Sequence, residues 1–103
     1  MNTIYKYELE VTDKQEISLP PKASILSAQV QGGRICLWVG LETDDLHLAE
    51  PRDIRIHGTG HPIAESLRFI DTVQLSGGSL VFHVFEVLEV LERYNEVNDL
   101  RLN

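Results

Sequence analysis

Apolar and polar residues alternate with a period of two along most of this chain, and the period changes near residue 87. Tyr5, Tyr7, Leu9 and Val11 are separated by Lys6, Glu8 and Glu10, which puts the first set on one face of a half-buried strand. Glu16-Ile17-Ser18-Leu19 reads as a second strand that pairs back, stopped by Pro20-Pro21 because proline lacks a ladder donor. Ile25 to Gln31 and Arg34 to Leu41 flank Gly32-Gly33, a two-residue link able to take the positive φ angles of a tight hairpin. Glu42 to Asp53 is polar and acidic without sustained periodicity and reads as a surface loop. Ile54 to His57 resumes alternation and ends at Gly58-Thr59-Gly60-His61-Pro62. Ala64 to Leu67 suggests a helical turn, and Phe69 to Leu75, Ser76-Gly77-Gly78 and Ser79 to Glu86 a second hairpin. From Val87 the apolar positions Val90, Leu91, Tyr94 and Val97 recur at three- and four-residue steps, the signature of an amphipathic helix.

These elements predict an α+β, mainly β fold: a small antiparallel sheet or barrel-like body of about six or seven strands over residues 1–86, with a C-terminal helical extension over 87–103. Both parts belong to one domain, since 103 residues supply a single core. An isolated helix of this length is marginal in water, so its stripe is expected to pack on the sheet or on a second copy, and a homo-oligomer is expected.

Composition narrows the function. The formal charge of −7 arises from 16 acidic against nine basic residues, and no Lys/Arg cluster offers a footprint for a nucleic-acid polymer. A small anion is still compatible, because one or two donors act locally. No run approaches the length of a membrane span, and the first residues lack the pattern of a secretion signal, so no membrane partner and a cytosolic location are expected. Cys36, the one cysteine, lies in the apolar run Ile35-Cys36-Leu37-Trp38 and reads as a buried, inert thiol.

The blocks Ile4-Tyr5-Lys6-Tyr7, Leu19 to Gln31, Cys36-Leu37-Trp38, Gly58 to Ile63 and Gly77 to Glu86 together resemble a family of small uncharacterised tailed-phage proteins, from about Thr3 to Glu86. The resemblance implies a phage or prophage source, a β-rich fold and an accessory role outside the virion, so the cytosol expected is that of the host cell. It brings no active site, and the helix from Val87 to Leu102 departs from its pattern.

Gly58-Thr59-Gly60-His61 is the most site-like stretch: glycine-freed amides can converge on an anion, and Thr59 adds a hydroxyl. It lacks the Gly-Lys-Ser/Thr of a phosphate loop and the third glycine of a dinucleotide fingerprint. A simple glycine turn capped by Thr59 accounts for it equally well. Arg55 lies two residues before His57 and so shares its strand face, where a guanidinium can grip phosphate or pair with Asp53 or Glu65. His57 and His61 would need a third ligand, from His83, His47 or an acid, to hold a metal, so no metal and no cofactor are expected. His57-Gly58-Thr59 matches half of the paired His-x-Thr/Ser signature of two-histidine phosphoesterases; His83-Val84-Phe85 does not supply the other half. Trp38, Phe82, Phe85 and His83 sit in apolar strands and read as core.

The expectation drawn from these residues is a phage accessory protein that binds and sequesters a small phosphorylated ligand without catalysis, a nucleotide signal of host anti-phage defence being one candidate. The ligand-binding residues expected are Arg55, His57, Gly58, Thr59, Gly60 and His61. The alternatives are a protein-interaction module that inhibits a host enzyme and a His-dependent phosphodiesterase.

Overall fold

The computed structural model describes residues 1–63 and 66–88, and within them seven strands run in antiparallel pairs. They are β1 (Thr3–Glu8), β2 (Lys14–Leu19), β3 (Ser24–Gln31), β4 (Arg34–Leu41), β5 (Glu50–Gly58), β6 (Leu67–Leu75) and β7 (Leu80–Val87). Three form one sheet in the order β1-β4-β3, and four form a second in the order β2-β5-β7-β6. The mainly β fold is therefore as expected, built as two facing sheets.

The alternation read along the chain sorts residues between the faces. Ile35, Leu37, Val39 and Leu41 of β4 meet Ile54 and Ile56 of β5, Val73 of β6 and Val84 of β7 in one buried cluster. Gly32 and Gly33 lie at φ of +60° and +77°, the left-handed geometry a two-residue hairpin requires. The Pro20-Pro21-Lys22-Ala23 stop is a turn closed by the Ala23 amide donating to the Pro20 carbonyl at 3.1 Å, and it carries the chain from one sheet to the other.

Several boundaries differ from the sequence reading. β5 opens at Glu50, inside the stretch read as loop, because Glu50 to Asp53 pair with β2 before β7 joins the other side at Ile54. Pro51 is tolerated near that strand's start, where one neighbour is present. Leu67 belongs to β6, and Val87 closes β7 instead of opening a helix. The helix expected over residues 87–103, with the oligomer inferred from its stripe, falls from residue 89 on outside the described residues, as do Ala64 and Glu65 of the expected helical turn. Trp38 is half-buried on the outer face of the three-stranded sheet, since β4 turns Ile35, Leu37 and Val39 inward.

Two polar devices bind the sheets together. β3 and β6 each carry a bulge, at Leu26 and Ile70, where these edge strands pack on one another. There Asp71 accepts from the Ala28 amide at 3.3 Å and from the Gln29 side chain at 3.2 Å, so an edge of the first sheet is satisfied from the second. The second device is an ion triad around the buried Glu86 carboxylate on the inner face: Glu86 of β7 pairs with Arg52 of β5 and, at 3.1 Å, with Arg68 of β6. Arg52 also donates to the Ala23 carbonyl at 3.0 Å, reaching across to the start of β3.

Burial by itself would raise the Glu86 carboxyl, but the hydrogen bond and charge of Arg52, then those of Arg68, outweigh it and hold the group below its ordinary 4.5. A depressed carboxylate contributes stability that is fully present above its unfolded value and is lost as pH falls through the folded one. Acid unfolding of the wild type should therefore draw on Glu86 below about pH 4.5. Glu86→Gln should lower stability at neutral pH by roughly 3 kcal/mol, the low end for breaking a buried pair because Arg68 keeps contact with water. Thermal unfolding checks this, with a fall in Tm of about 10–20 °C expected for a domain of this size.

Candidate functional site on the outer face of the four-stranded sheet

With Arg52, Ile54 and Ile56 turned inward on β5, the residues between them, Asp53, Arg55 and His57, face out. β7 obeys the same rule: Val84 and Glu86 go in, His83 and Phe85 go out. Register then builds two rows across the sheet. His57 is the partner of His83, which is the partner of Thr72; Arg55 is the partner of Phe85, which is the partner of Phe69, and Lys14 of β2 extends this second row beyond Arg55. His83 and Phe85, read as core from their apolar strand, are thus surface-side residues; Phe82 is the one that packs partly on the core.

His83 is held at both ring nitrogens. Thr59 Oγ1 lies 2.8 Å from Nε2 and Thr72 Oγ1 lies 2.8 Å from Nδ1. A neutral imidazole has one donor and one acceptor nitrogen, so one hydroxyl accepts from the ring and the other donates to it. The hydroxyl that accepts keeps its own proton for an outside acceptor. His57 is held by packing: its ring meets Phe85 edge-on with centroids 5.7 Å apart, and Phe85 meets Phe69 the same way at 5.6 Å. His57 Nε2 is shielded from solvent and has no hydrogen-bond partner among the described residues.

The glycine loop is a tight turn. The His61 amide donates to the Gly58 carbonyl at 3.2 Å, with Gly60 at φ +88°, a conformation that glycine takes without strain. The Gly58 amide in turn donates to His61 Nδ1 at 3.1 Å, folding the imidazole over the strand end. Two amides counted on for an anion cradle, those of Gly58 and His61, are therefore engaged within the turn. The Thr59 hydroxyl bonds outside the turn, crossing to His83.

Arg55, His57 and Thr59 consequently converge on one face, with His61 exposed at its rim and Gly58 and Gly60 shaping the turn. Thr72, His83, Phe85, Phe69 and Lys14 complete the surface and were not read as site residues. Among the described residues, no three His, Cys, Asp or Glu side chains gather to hold a metal ion, and no helix is long and apolar enough to cross a membrane.

A family model described as a domain of unknown function, DUF7352, matches residues 1–94. The chain belongs to the DUF7352 family. The matched span takes in every strand and the whole outer-face surface, and it reaches past Glu86. No curated protein and no solved structure matches the chain.

The turn bond makes a direct prediction. His61 Nδ1 is the acceptor of the Gly58 amide, so removing the ring removes that bond. In amide NMR, the Gly58 proton of His61→Ala should move upfield and exchange faster with solvent than in the wild type.

Proposed function

We propose that this member of the DUF7352 family binds a small phosphorylated ligand on the outer face of the four-stranded sheet and holds it without chemistry, as an accessory protein of a phage. The observation that carries the reading is His57 Nε2, a shielded ring nitrogen with no partner among the described residues, one position along the face from the Arg55 guanidinium. A buried polar atom left without a hydrogen bond is costly, and a phosphate oxygen would satisfy it once the ring turns to present N–H at the surface. Arg55 supplies charge-assisted donors, and the one threonine hydroxyl that accepts from His83 adds a neutral one. The −7 formal charge favours a small anion over a polyanionic chain.

A host-protein interaction module is the second reading, favoured by Leu46 and Leu48, which are 40% and 42% exposed beside the acidic residues Asp44, Asp45 and Glu50. The phosphodiesterase reading changes partner: the cross-strand neighbour of His57 is His83, and both His83 nitrogens are already tied to threonines.

A thermal-shift and calorimetric screen with sugar phosphates and linear and cyclic nucleotides tests the proposal. Arg55→Ala should weaken binding about ten- to a hundredfold, the effect of losing a charge-assisted bond of roughly 1.5–3 kcal/mol, and Thr59→Val should cost less. Heat denaturation of the complex should release the ligand intact. A cleaved product, lost in His57→Ala, would establish the phosphodiesterase. Stabilisation by no phosphorylated compound, with a host protein retained through Leu46 and Leu48, would establish the interaction module.

A further inference from the structure

A sheet ends at strands whose outer backbone groups have no neighbour, and this fold treats its edges unequally. The β3 edge is closed by β6, where Asp71 takes the Ala28 amide at 3.3 Å. The β1 edge is open over most of its length. Leu9 donates its amide to the Ile35 carbonyl at 2.8 Å, at the position that continues the pairing of Glu8 with Cys36. Hydrogen-bonded pairs alternate along an antiparallel ladder, so Thr3, Tyr5 and Tyr7 turn their backbone groups to β4, and Ile4, Lys6 and Glu8 turn theirs away. Glu10, the next in that outward series, is satisfied by one side chain: its amide donates to Gln15 Oε1 at 3.0 Å and its carbonyl accepts from Gln15 Nε2 at 2.7 Å. Among the described residues, no strand lies beyond Ile4, Lys6 and Glu8.

The outer strand of the other sheet, β2, has a different character. It exposes Lys14, Glu16 and Ser18 and no large apolar residue, and Thr12 Oγ1 already donates to the Lys14 carbonyl at 3.1 Å. An edge so charged and polar resists pairing. β1 instead leaves Ile4 55% and Tyr5 42% exposed. Tyr5 lies on the same inward side as Tyr7, which packs on the core, and it meets solvent because the sheet stops there.

We infer that a second copy of the chain pairs with this edge, β1 against β1 and antiparallel about a two-fold axis, joining two three-stranded sheets into one. Only residues whose backbone groups face outward can form the hydrogen-bonded pairs, so even-numbered positions lie opposite even-numbered ones. Lys6 opposite Lys6 would set like charges directly across the ladder, which is unfavourable. A shift of two residues one way puts Glu8 opposite Asn2, whose amide is already bonded to the Leu41 carbonyl at 3.0 Å. The shift the other way puts Lys6 opposite Glu8 of the second copy, twice by symmetry, with Tyr7 against Tyr7 on the axis and Tyr5 covered by Leu9. Lys6 bonds Gln31 at 2.8 Å and Glu8 lies 3.7 Å from Arg34 within one chain, but an ammonium has three protons and a carboxylate two oxygens, so each takes a second partner. The junction lies on the three-stranded sheet and does not rest on the phosphorylated-ligand reading.

Sedimentation equilibrium of the full chain tests it. The wild type should form a dimer. Glu8→Lys and Lys6→Glu should each weaken it at least about tenfold, by setting two pairs of like charges face to face, and the double exchange Lys6→Glu/Glu8→Lys should restore it. The circular dichroism of all three should match the wild type, because both side chains are exposed. Facing residues of a non-hydrogen-bonded pair have Cα atoms about 4.5 Å apart, within the span of a disulfide. Oxidised Tyr7→Cys should therefore yield a covalent dimer, whereas Tyr5→Cys and the wild type, whose Cys36 is buried, should not. A wild type that stays monomeric overturns the inference. A dimer that neither charge change weakens overturns β1 as its edge, and cross-linking through Tyr5→Cys in place of Tyr7→Cys overturns the register.

Discussion

Everything on the four-stranded sheet depends on where Glu86 points. Its carboxylate is buried between Arg52 and Arg68, and removing such a charge from water is unfavourable unless both partners are in place. A slip of one residue in β7 would expose Glu86 and carry Phe85 into the core, stranding two guanidinium groups. The triad therefore selects one register among those that hydrophobic alternation permits. The same register is what sets His57 against His83 and Arg55 against Phe85.

The bulge at Ile70 has a comparable reach. Without it, Phe69 and Thr72, three residues apart, would fall on opposite faces of β6. The extra residue brings both to the outer face, Phe69 against Phe85 and Thr72 against His83. It also leaves Asp71 at the seam, where its carboxylate bonds the Ala28 amide and the Gln29 side chain of β3. One irregularity thus closes an edge between sheets and completes the surface beside His83.

That surface is fixed from below and from the side. The ladder sets the backbone, the two threonines fix the His83 ring, and the Phe85 edge fixes His57. Side chains restrained in this way lose little further freedom when a ligand arrives, which is the physical sense in which a sheet face serves as a preorganised binding surface.

The strand count, both glycine-linked hairpins, the Pro20-Pro21 stop and the inward set Ile35, Leu37 and Val39 follow from local pattern, because turn chemistry and period-two alternation act within a few residues. So does the shared face of Arg55 and His57, which a single strand's geometry imposes. The outward placement of His83 and Phe85 does not: in the run Leu80 to Val87 nearly every residue is apolar, and alternation there names no face. Their side was decided by Glu86, whose charge could be buried only where Arg52 and Arg68, 34 and 18 residues earlier in the chain, met it. Thr72 reached the site through a bulge that no spacing announces. Pairing across strands is a long-range contact, and it was the tertiary structure, through the burial of one carboxylate between two guanidinium groups, that chose which residues this protein shows to solvent.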